Sequence, residues 1–278
     1  MREIHTDEIK KAVEELFVAA NYNLPRDVYE RIRACAVSES SPLAAGIMNK
    51  LARNAEIAAS EGIPICQDTG MAFVFARIGQ EVHITGGLFA DAVNAGVAAA
   101  YDKGFLRKSV VASPLRRQNT EDNTPAVIYT ELTAGDKLEL TALPKGFGSE
   151  NMSAIRMFNP TASEQDIIDF VAETVKRAGG NPCPPIVVGV GIGGSFDYCA
   201  VLAKKALIRT VGAHSEQYGE LEQRILDAVN ETGVGPAGLG GRTTALWAAV
   251  EAYPTHIAGL PVAVNISCHA TRHAAVTL

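Results

Sequence analysis

A chain of 278 residues, 47% hydrophobic and 20% charged, can bury a sizeable core, which excludes disorder, collagen and coiled coil. Its length fits one large domain or two small ones, because single cores stop growing at roughly 250–300 residues. The 31 acidic and 25 basic residues leave a formal charge of -6, which disfavours a broad footprint for nucleic acid or acidic lipid.

No apolar run approaches the roughly 18 residues of a membrane span, and the acidic start Met1-Arg2-Glu3-Ile4-His5-Thr6-Asp7-Glu8 is unlike a signal or transit peptide. A cytoplasmic chain that binds neither nucleic acid nor membrane is expected. From Thr6 as N-cap, the stripe Ile9, Val13, Leu16, Phe17 and Ala20 predicts a first helix. A second starts near Pro25, and a third opens at Ser41-Pro42 with Leu43, Ile47, Leu51 and Ile57 on one side, stopped by Gly62-Ile63-Pro64. Strand patterns follow at 72–76 and 82–85, then an Ala-rich helix from Asp91 to Tyr101. The runs 127–132 and 137–143 flank Ala134-Gly135-Asp136, the signal of a hairpin with a short loop.

Ser163 with Asp166 marks a helix N-terminus, and Gly179-Gly180 ends that helix. Pro184-Pro185 launches a short apolar run, 186–190, read as a buried strand; helices at 196–210 and 215–231 and a strand at 262–266 complete the chain. Hairpin and single-strand signals beside many helices predict an α+β fold rather than a regular βαβ alternation. The chain is read as one domain over 1–278, with two lobes as the variant.

Five cysteines, Cys35, Cys66, Cys183, Cys199 and Cys268, are an odd set in a long chain with no secretory signal, so a disulfide framework is not expected. Cys35 and Cys199 lie inside amphipathic helices and read as core filling. The other three sit at element boundaries: Cys66 before Gln67-Asp68-Thr69-Gly70, Cys183 between Pro182 and Pro184-Pro185, and Cys268 at the end of the last strand. Three thiolates gathered in a reducing compartment favour zinc or an iron–sulfur cluster, and the absence of any C-x-x-C argues against a zinc ribbon.

Motifs running nearly end to end carry a resemblance. They are Cys66-Gln67-Asp68-Thr69-Gly70, Asp122-Asn123-Thr124-Pro125-Ala126, Lys145-Gly146-Phe147-Gly148-Ser149-Glu150-Asn151, Cys183-Pro184-Pro185 with Gly191-Ile192-Gly193-Gly194, Gly238-Leu239-Gly240-Gly241, and Ser267-Cys268. In that order they resemble the α subunit, or N-terminal domain, of the class I fumarate hydratase and L-tartrate dehydratase family of iron–sulfur hydro-lyases.

The resemblance implies a 4Fe-4S cluster held by Cys66, Cys183 and Cys268 with one iron open. It implies Asp68 as proton donor or acceptor for the hydroxyl leaving the iron, and Gln67, Arg107, Gly148 and His256 as contacts to a small dicarboxylate substrate. It also implies a β subunit carrying the catalytic base and the rest of the active site, in an α2β2 assembly or around an α homodimer. Fumarate hydration to L-malate is the first expectation and L-tartrate dehydration the alternative. Taken alone, Asp68 before Thr69-Gly70 also suits a turn, Arg107 with Lys108, Arg116 and Arg117 also suits a solvated basic surface, and His256 also suits a structural histidine. His269 and His273, flanking Arg272, read as groups supporting a neighbouring ligand or lying at the surface.

Two readings from other classes compete. Gly189-Val190-Gly191-Ile192-Gly193-Gly194 fits G-x-G-x-x-G between a strand and a helix, as in a dinucleotide-binding oxidoreductase, but a second helix follows where a strand should stand. Within the resemblance this glycine-rich turn would pack close to the cluster. A zinc or thiol redox protein would use the three cysteines and leave the Gln67–Gly70 and Lys145–Ser149 segments without a task.

Overall fold

The computed structural model describes residues 1–278. In chain order the elements are β1 Arg2–His5, α1 Thr6–Tyr22, α2 Arg26–Ser38, α3 Pro42–Glu61, β2 Met71–Gly79, β3 Val82–Thr85, α4 Phe89–Lys103, β4 Val127–Thr133, β5 Leu138–Lys145 and α5 Phe147–Glu150. There follow β6 Ala154–Phe158, α6 Glu164–Ala178, β7 Ile186–Gly193, α7 Phe196–Ala206, α8 Gly219–Glu231, β8 Ala245–Tyr253, β9 Leu260–Ser267 and β10 Ala274–Thr277. The fold class is α+β, and no helix is long and apolar enough to cross a membrane. The chain forms two compact units, one of Met1–Pro25, Ala55–Gly146 and Arg272–Leu278, the other of Arg26–Asn54 and Phe147–Thr271.

In the first unit the α1 stripe is buried as its spacing predicts, with Ile9, Val13 and Phe17 packed in one cluster with Val93, Val97 and Tyr101 of α4 and Leu138 and Leu140 of β5. A Cβ at Gly96 of α4 would lie 2.6 Å from the Lys10 carbonyl of α1, so the missing side chain is what lets the two helices close on each other. The N-cap of α1 is His5 rather than Thr6: its ring accepts from the Asp7 N–H and Glu8 returns to the His5 N–H, a reciprocal box. Residues 42–54 of α3 belong to the second unit and the rest to the first; its buried residues are Ala44, Met48, Ala52, Ala55 and Ala58, not the predicted Leu43 side, and Leu43 is exposed.

The sheet of this unit has the order β10-β5-β2-β4. The hairpin expected between β4 and β5 is therefore not formed. β2 lies between them, parallel to β4 and antiparallel to β5, and its end is stitched under the 133–137 turn by Gly79 N–H to Lys137 O, Gln80 N–H to Thr133 O and Glu81 N–H to Gly135 O. β2 wins the central place because its Ala72, Phe73, Val74 and Ala76 are buried, which requires a partner on both edges. β1, beside β3, and β10, beside β5, complete the pairings; both carry too few residues to show a pattern.

In the second unit the order is β6-β9-β7-β8, with β7 parallel to β8 and antiparallel to β9. The apolar run opening β7 is buried as expected. Two glycines set how α7 packs on it: a Cβ at Gly189 would stand 2.1 Å from the Ala203 carbonyl and one at Gly191 2.0 Å from that of Cys199. The capping box of Ser163 and Asp166 opens α6, and Gly179 caps its end. β6 and β8 escaped sequence reading, since β8 (Ala-Leu-Trp-Ala-Ala-Val) is a buried mix with no alternation.

Gly191→Ala is expected to destabilise the protein by about 3 kcal/mol through overpacking against α7. Gly46→Ala, at an α3 position with open space around it, is expected to stabilise it by about 0.5–1 kcal/mol. Urea midpoints of the two variants against the parent check both, and equal midpoints would refute the packing argument.

Candidate active site

The Cys66–Gly70 loop of the first unit enters β2 and is built around its own carbonyl groups. The Asp68 carbonyl accepts from Arg272 Nη2. The Tyr101 hydroxyl lies 2.8 Å from both the Thr69 and Gly70 carbonyls, and Asn123 Nδ2 reaches the Gly70 carbonyl at 3.2 Å. Burial pushes the Tyr101 phenol well above its ordinary range, against the smaller opposing effect of the Arg272 charge, so it remains a neutral donor at physiological pH.

Around this frame Asp68 is half-buried, and its Oδ1 accepts the Gly70 N–H at 3.0 Å, which realises the turn that the sequence allows. Its Oδ2 lies over Gly146, where a Cβ would be 3.1 Å away. Gly70 has φ +80°, and a Cβ there would strike the Lys145 backbone at 2.7 Å. The pairing of Met71 with Lys145 brings the Cys66–Gly70 and Lys145–Gly146 motifs side by side. Arg107 is latched to the same loop through its backbone, its N–H donating to Thr69 Oγ1 at 2.8 Å, while its side chain is exposed. Asn123 Oδ1 takes the N–H groups of Ser109 and Val110, tying the segment after Arg107 to Gly70. Gln67 is exposed, and its side chain accepts from the Cys66 thiol at 3.1 Å. The structure thus brings Cys66, Gln67, Asp68 and the Arg107 backbone together.

In the second unit Cys183 and Cys268 share one end of the sheet. Cys183 precedes β7 in a turn with φ +54° and Cys268 follows β9, where Ser267 is paired with Val187. Next to Cys268, the ring of His269 lies 2.9 Å from the Cys183 carbonyl, and Thr271 Oγ1 donates to the Cys268 carbonyl at 2.7 Å. His269 therefore supports the backbone of Cys183, as the sequence suggests. The turn carrying Gly148 is fastened to this same end: Asn265 Nδ2 donates to Glu150 and to Ser153 Oγ, and Lys204, buried to 7% exposure, pairs with Glu150 at 2.6 Å. Burial lowers the Lys204 pKa and the Glu150 charge opposes that, so Glu150 is what keeps the ammonium in place.

His256 lies past Tyr253, which pairs with Gly193 at the other end of β7 from Cys183; its ring accepts the Ala258 N–H, and within one chain it is not brought beside Cys183 and Cys268. One expectation needs correction, that the glycine-rich turn packs close to the cluster. The glycine-rich turn is also at that far end. Gly189 and Gly191 serve the contact with α7, and a Cβ at Gly193 would be 2.0 Å from the Tyr253 carbonyl, so these glycines neither approach the two cysteines nor open a phosphate cradle. Arg272, which the two histidines flank, is 2% exposed.

All five cysteines are free thiols; Cys35 and Cys199 are buried, Cys66 and Cys268 half-buried and Cys183 exposed. Burial pushes the thiols of Cys35 and Cys199 up, which keeps them protonated and suits core filling. No three His, Cys, Asp or Glu side chains are grouped as ligands to a metal ion. The donor chemistry of Cys66, Cys183 and Cys268, soft sulfur on boundary segments, fits an iron–sulfur group. Tyr101, Asn123 and Arg272 were missed as individual site residues: Tyr101 reads as the end of an Ala-rich helix, Asn123 stood only inside a motif, and no local pattern betrays a burial made by distant segments.

The sequence matches the family described as Fumarate hydratase (Fumerase) over residues 10–277. It is 39% identical to "Putative L(+)-tartrate dehydratase subunit alpha" of Methanocaldococcus jannaschii, covering 96% of each chain. It is 29% identical to "L(+)-tartrate dehydratase subunit alpha" of Escherichia coli O157:H7 and 27% identical to the protein of that name from Escherichia coli K12, in both cases over 90% of this chain and 84% of the relative. With the family match spanning both units and both motif-bearing loops, the chain belongs to the fumarate hydratase (Fumerase) family of hydro-lyases.

Proposed function

We propose that the chain is the α subunit of a cytoplasmic 4Fe-4S hydro-lyase, that Cys66, Cys183 and Cys268 hold the cluster, and that a β subunit completes the active site in an α2β2 assembly or around an α homodimer. The observation that carries this reading is the division of the five thiols: three at accessible element ends, two buried and kept protonated. When bound, the cluster supplies an open iron that acts as a Lewis acid toward the substrate hydroxyl. Dehydrating a 2-hydroxydicarboxylate also requires a group to carry the hydroxyl's proton, cations or N–H donors on both carboxylates, and a base at the carbon that loses its proton.

In this chain the Asp68 carboxylate is the proton carrier, held by the Gly70 N–H and by the pinned carbonyls behind it. The Gln67 amide orients the substrate, Arg107 binds a carboxylate, and the Gly148 backbone N–H takes a carboxylate oxygen from a turn fixed by Glu150 and Lys204. The carbon base is assigned to the β subunit. His256 remains a proposed contact to the dicarboxylate, although it lies at the opposite end of its own sheet from Cys183. Fumarate and L-malate are the first substrate pair, and the three relatives cited above, each named as an L(+)-tartrate dehydratase alpha subunit, favour L-tartrate as the second reading.

The deciding experiment is anaerobic reconstitution with iron and sulfide, alone and with a β partner, assayed with L-malate and with L-tartrate. Turnover only with the partner supports the split site; a colourless protein without stoichiometric iron and sulfide sinks the cluster. Cys66→Ser, Cys183→Ser and Cys268→Ser are each expected to lose the cluster's iron and sulfide, whereas Cys35→Ser and Cys199→Ser keep both; iron analysis of the five variants decides. Asp68→Asn is expected to keep full iron and lose about 10²–10⁴-fold in kcat, and turnover at the parent rate would return Asp68 to a turn residue.

A further inference from the structure

Arg272 differs from Lys204, another buried cation of the chain. Lys204 meets Glu150 at 2.6 Å, inside one unit, so that burial of the cation is offset by a carboxylate. Arg272 is 2% exposed; its Nη2 donates to the Asp68 carbonyl, while Nε and Nη1 have no hydrogen-bond partner. A neutral amide would serve a single carbonyl. A guanidinium adds a charge and further N–H groups whose desolvation is costly when they are left unpaired, and an uncapped buried cation attracts an anion from whatever binds beside it.

What lies beside it is the Asp68 loop. The three consecutive carbonyls of Asp68, Thr69 and Gly70 are taken by Arg272, Tyr101 and Asn123, and of these three donors Arg272 alone is charged. Holding the loop by its carbonyls needs no charge, as Tyr101 and Asn123 demonstrate. The charge therefore has a second task, and the species to be handled at this loop, on the function proposed above, is a dicarboxylate.

We propose that Arg272 is a charged positioning residue, whose bond to the Asp68 carbonyl sets the Asp68 loop and whose uncapped charge draws a dicarboxylate anion to it. This rests on the hydro-lyase reading of the loop.

Three variants separate charge from bracing: Arg272→Lys keeps the charge, Arg272→Gln keeps a donor without charge, and Arg272→Met removes both. In the reconstituted two-subunit enzyme, Arg272→Lys is expected to retain kcat/KM within about 10-fold, while Arg272→Gln and Arg272→Met lose about 100-fold or more. The melting temperature of Arg272→Gln is expected to stay at or above the parent value, because it removes an uncapped buried charge and keeps a donor, whereas Arg272→Met leaves the Asp68 carbonyl unpaired and is expected to melt lower. Equal activity of the Gln and Lys variants would overturn the proposal and leave Arg272 a simple brace.

A second readout needs no turnover. Succinate, an unreactive dicarboxylate, is expected to raise the melting temperature of the full chain by about 2 °C or more for the parent and Arg272→Lys, and not for Arg272→Gln. If the reconstituted enzyme turned over neither L-malate nor L-tartrate, the proposed function would fall, and the succinate shift would still decide the role of Arg272: loss in the Gln and Met variants with retention in the Lys variant upholds it, and an equal shift in all variants, or none in the parent, refutes it.

Discussion

The carbonyl oxygens of Asp68, Thr69 and Gly70 all face donors, and this inward pinning is the constraint on which the chemistry of the first unit depends. A loop that commits its acceptors to buried groups has few remaining ways to move, so the side chain it carries is aimed by the backbone. The donors come from the end of α4, the segment before β4 and the segment before β10, parts of the chain brought together by the sheet order β10-β5-β2-β4. Inserting β2 between β4 and β5 is what places the loop preceding β2 beside Lys145 and Gly146. The fold of this unit and the aim of Asp68 are thus one event, and disrupting the central strand would release both.

The second unit applies the same logic to a different group. The Gly148 turn is not stiffened from within; it is tied through Glu150 to Lys204 and Asn265, and through Ser153 to Asn265 and the Ile266 N–H. Lys204 is buried, and leaving it without Glu150 would strand an uncompensated charge, so the pair acts as an obligatory clamp on the turn. The strand from which Asn265 comes ends at Ser267, directly before Cys268, which links the clamp to the cysteine end of the sheet. The glycines of β7 contribute at a distance: by letting α7 sit on the strand, they set where Lys204 on that helix projects.

Much of this was legible in the sequence where the signal is local. The α1 stripe, the Ser163–Asp166 capping box and the buried run of β7 follow from spacing over a few residues, and the structure has them. The split of the β4–β5 pair was not legible, because 133–137 looks like any short turn and only the burial of β2 decides what comes between. The α3 face misled for a related reason: its larger apolar residues suggested one side, whereas close packing selected the alanines. Of the candidate site, the motifs marked the loops on which the proposed residues sit; the donors behind them, Tyr101 and Arg272, were hidden because burial at those positions is made by segments far away in sequence.

By itself the sequence determined the α+β class, the family and the sorting of cysteines into two in helices and three at boundaries, since these depend on residue type and near neighbours. Tertiary structure alone decided that Arg272 is a buried donor to Asp68 and that His256 lies a strand length from Cys183 and Cys268. It also decided that the G-x-G-x-x-G segment is spent on helix packing instead of a ligand. The reason is common to all three: a side chain's surroundings are set by strand order and register, which no stretch of sequence states on its own.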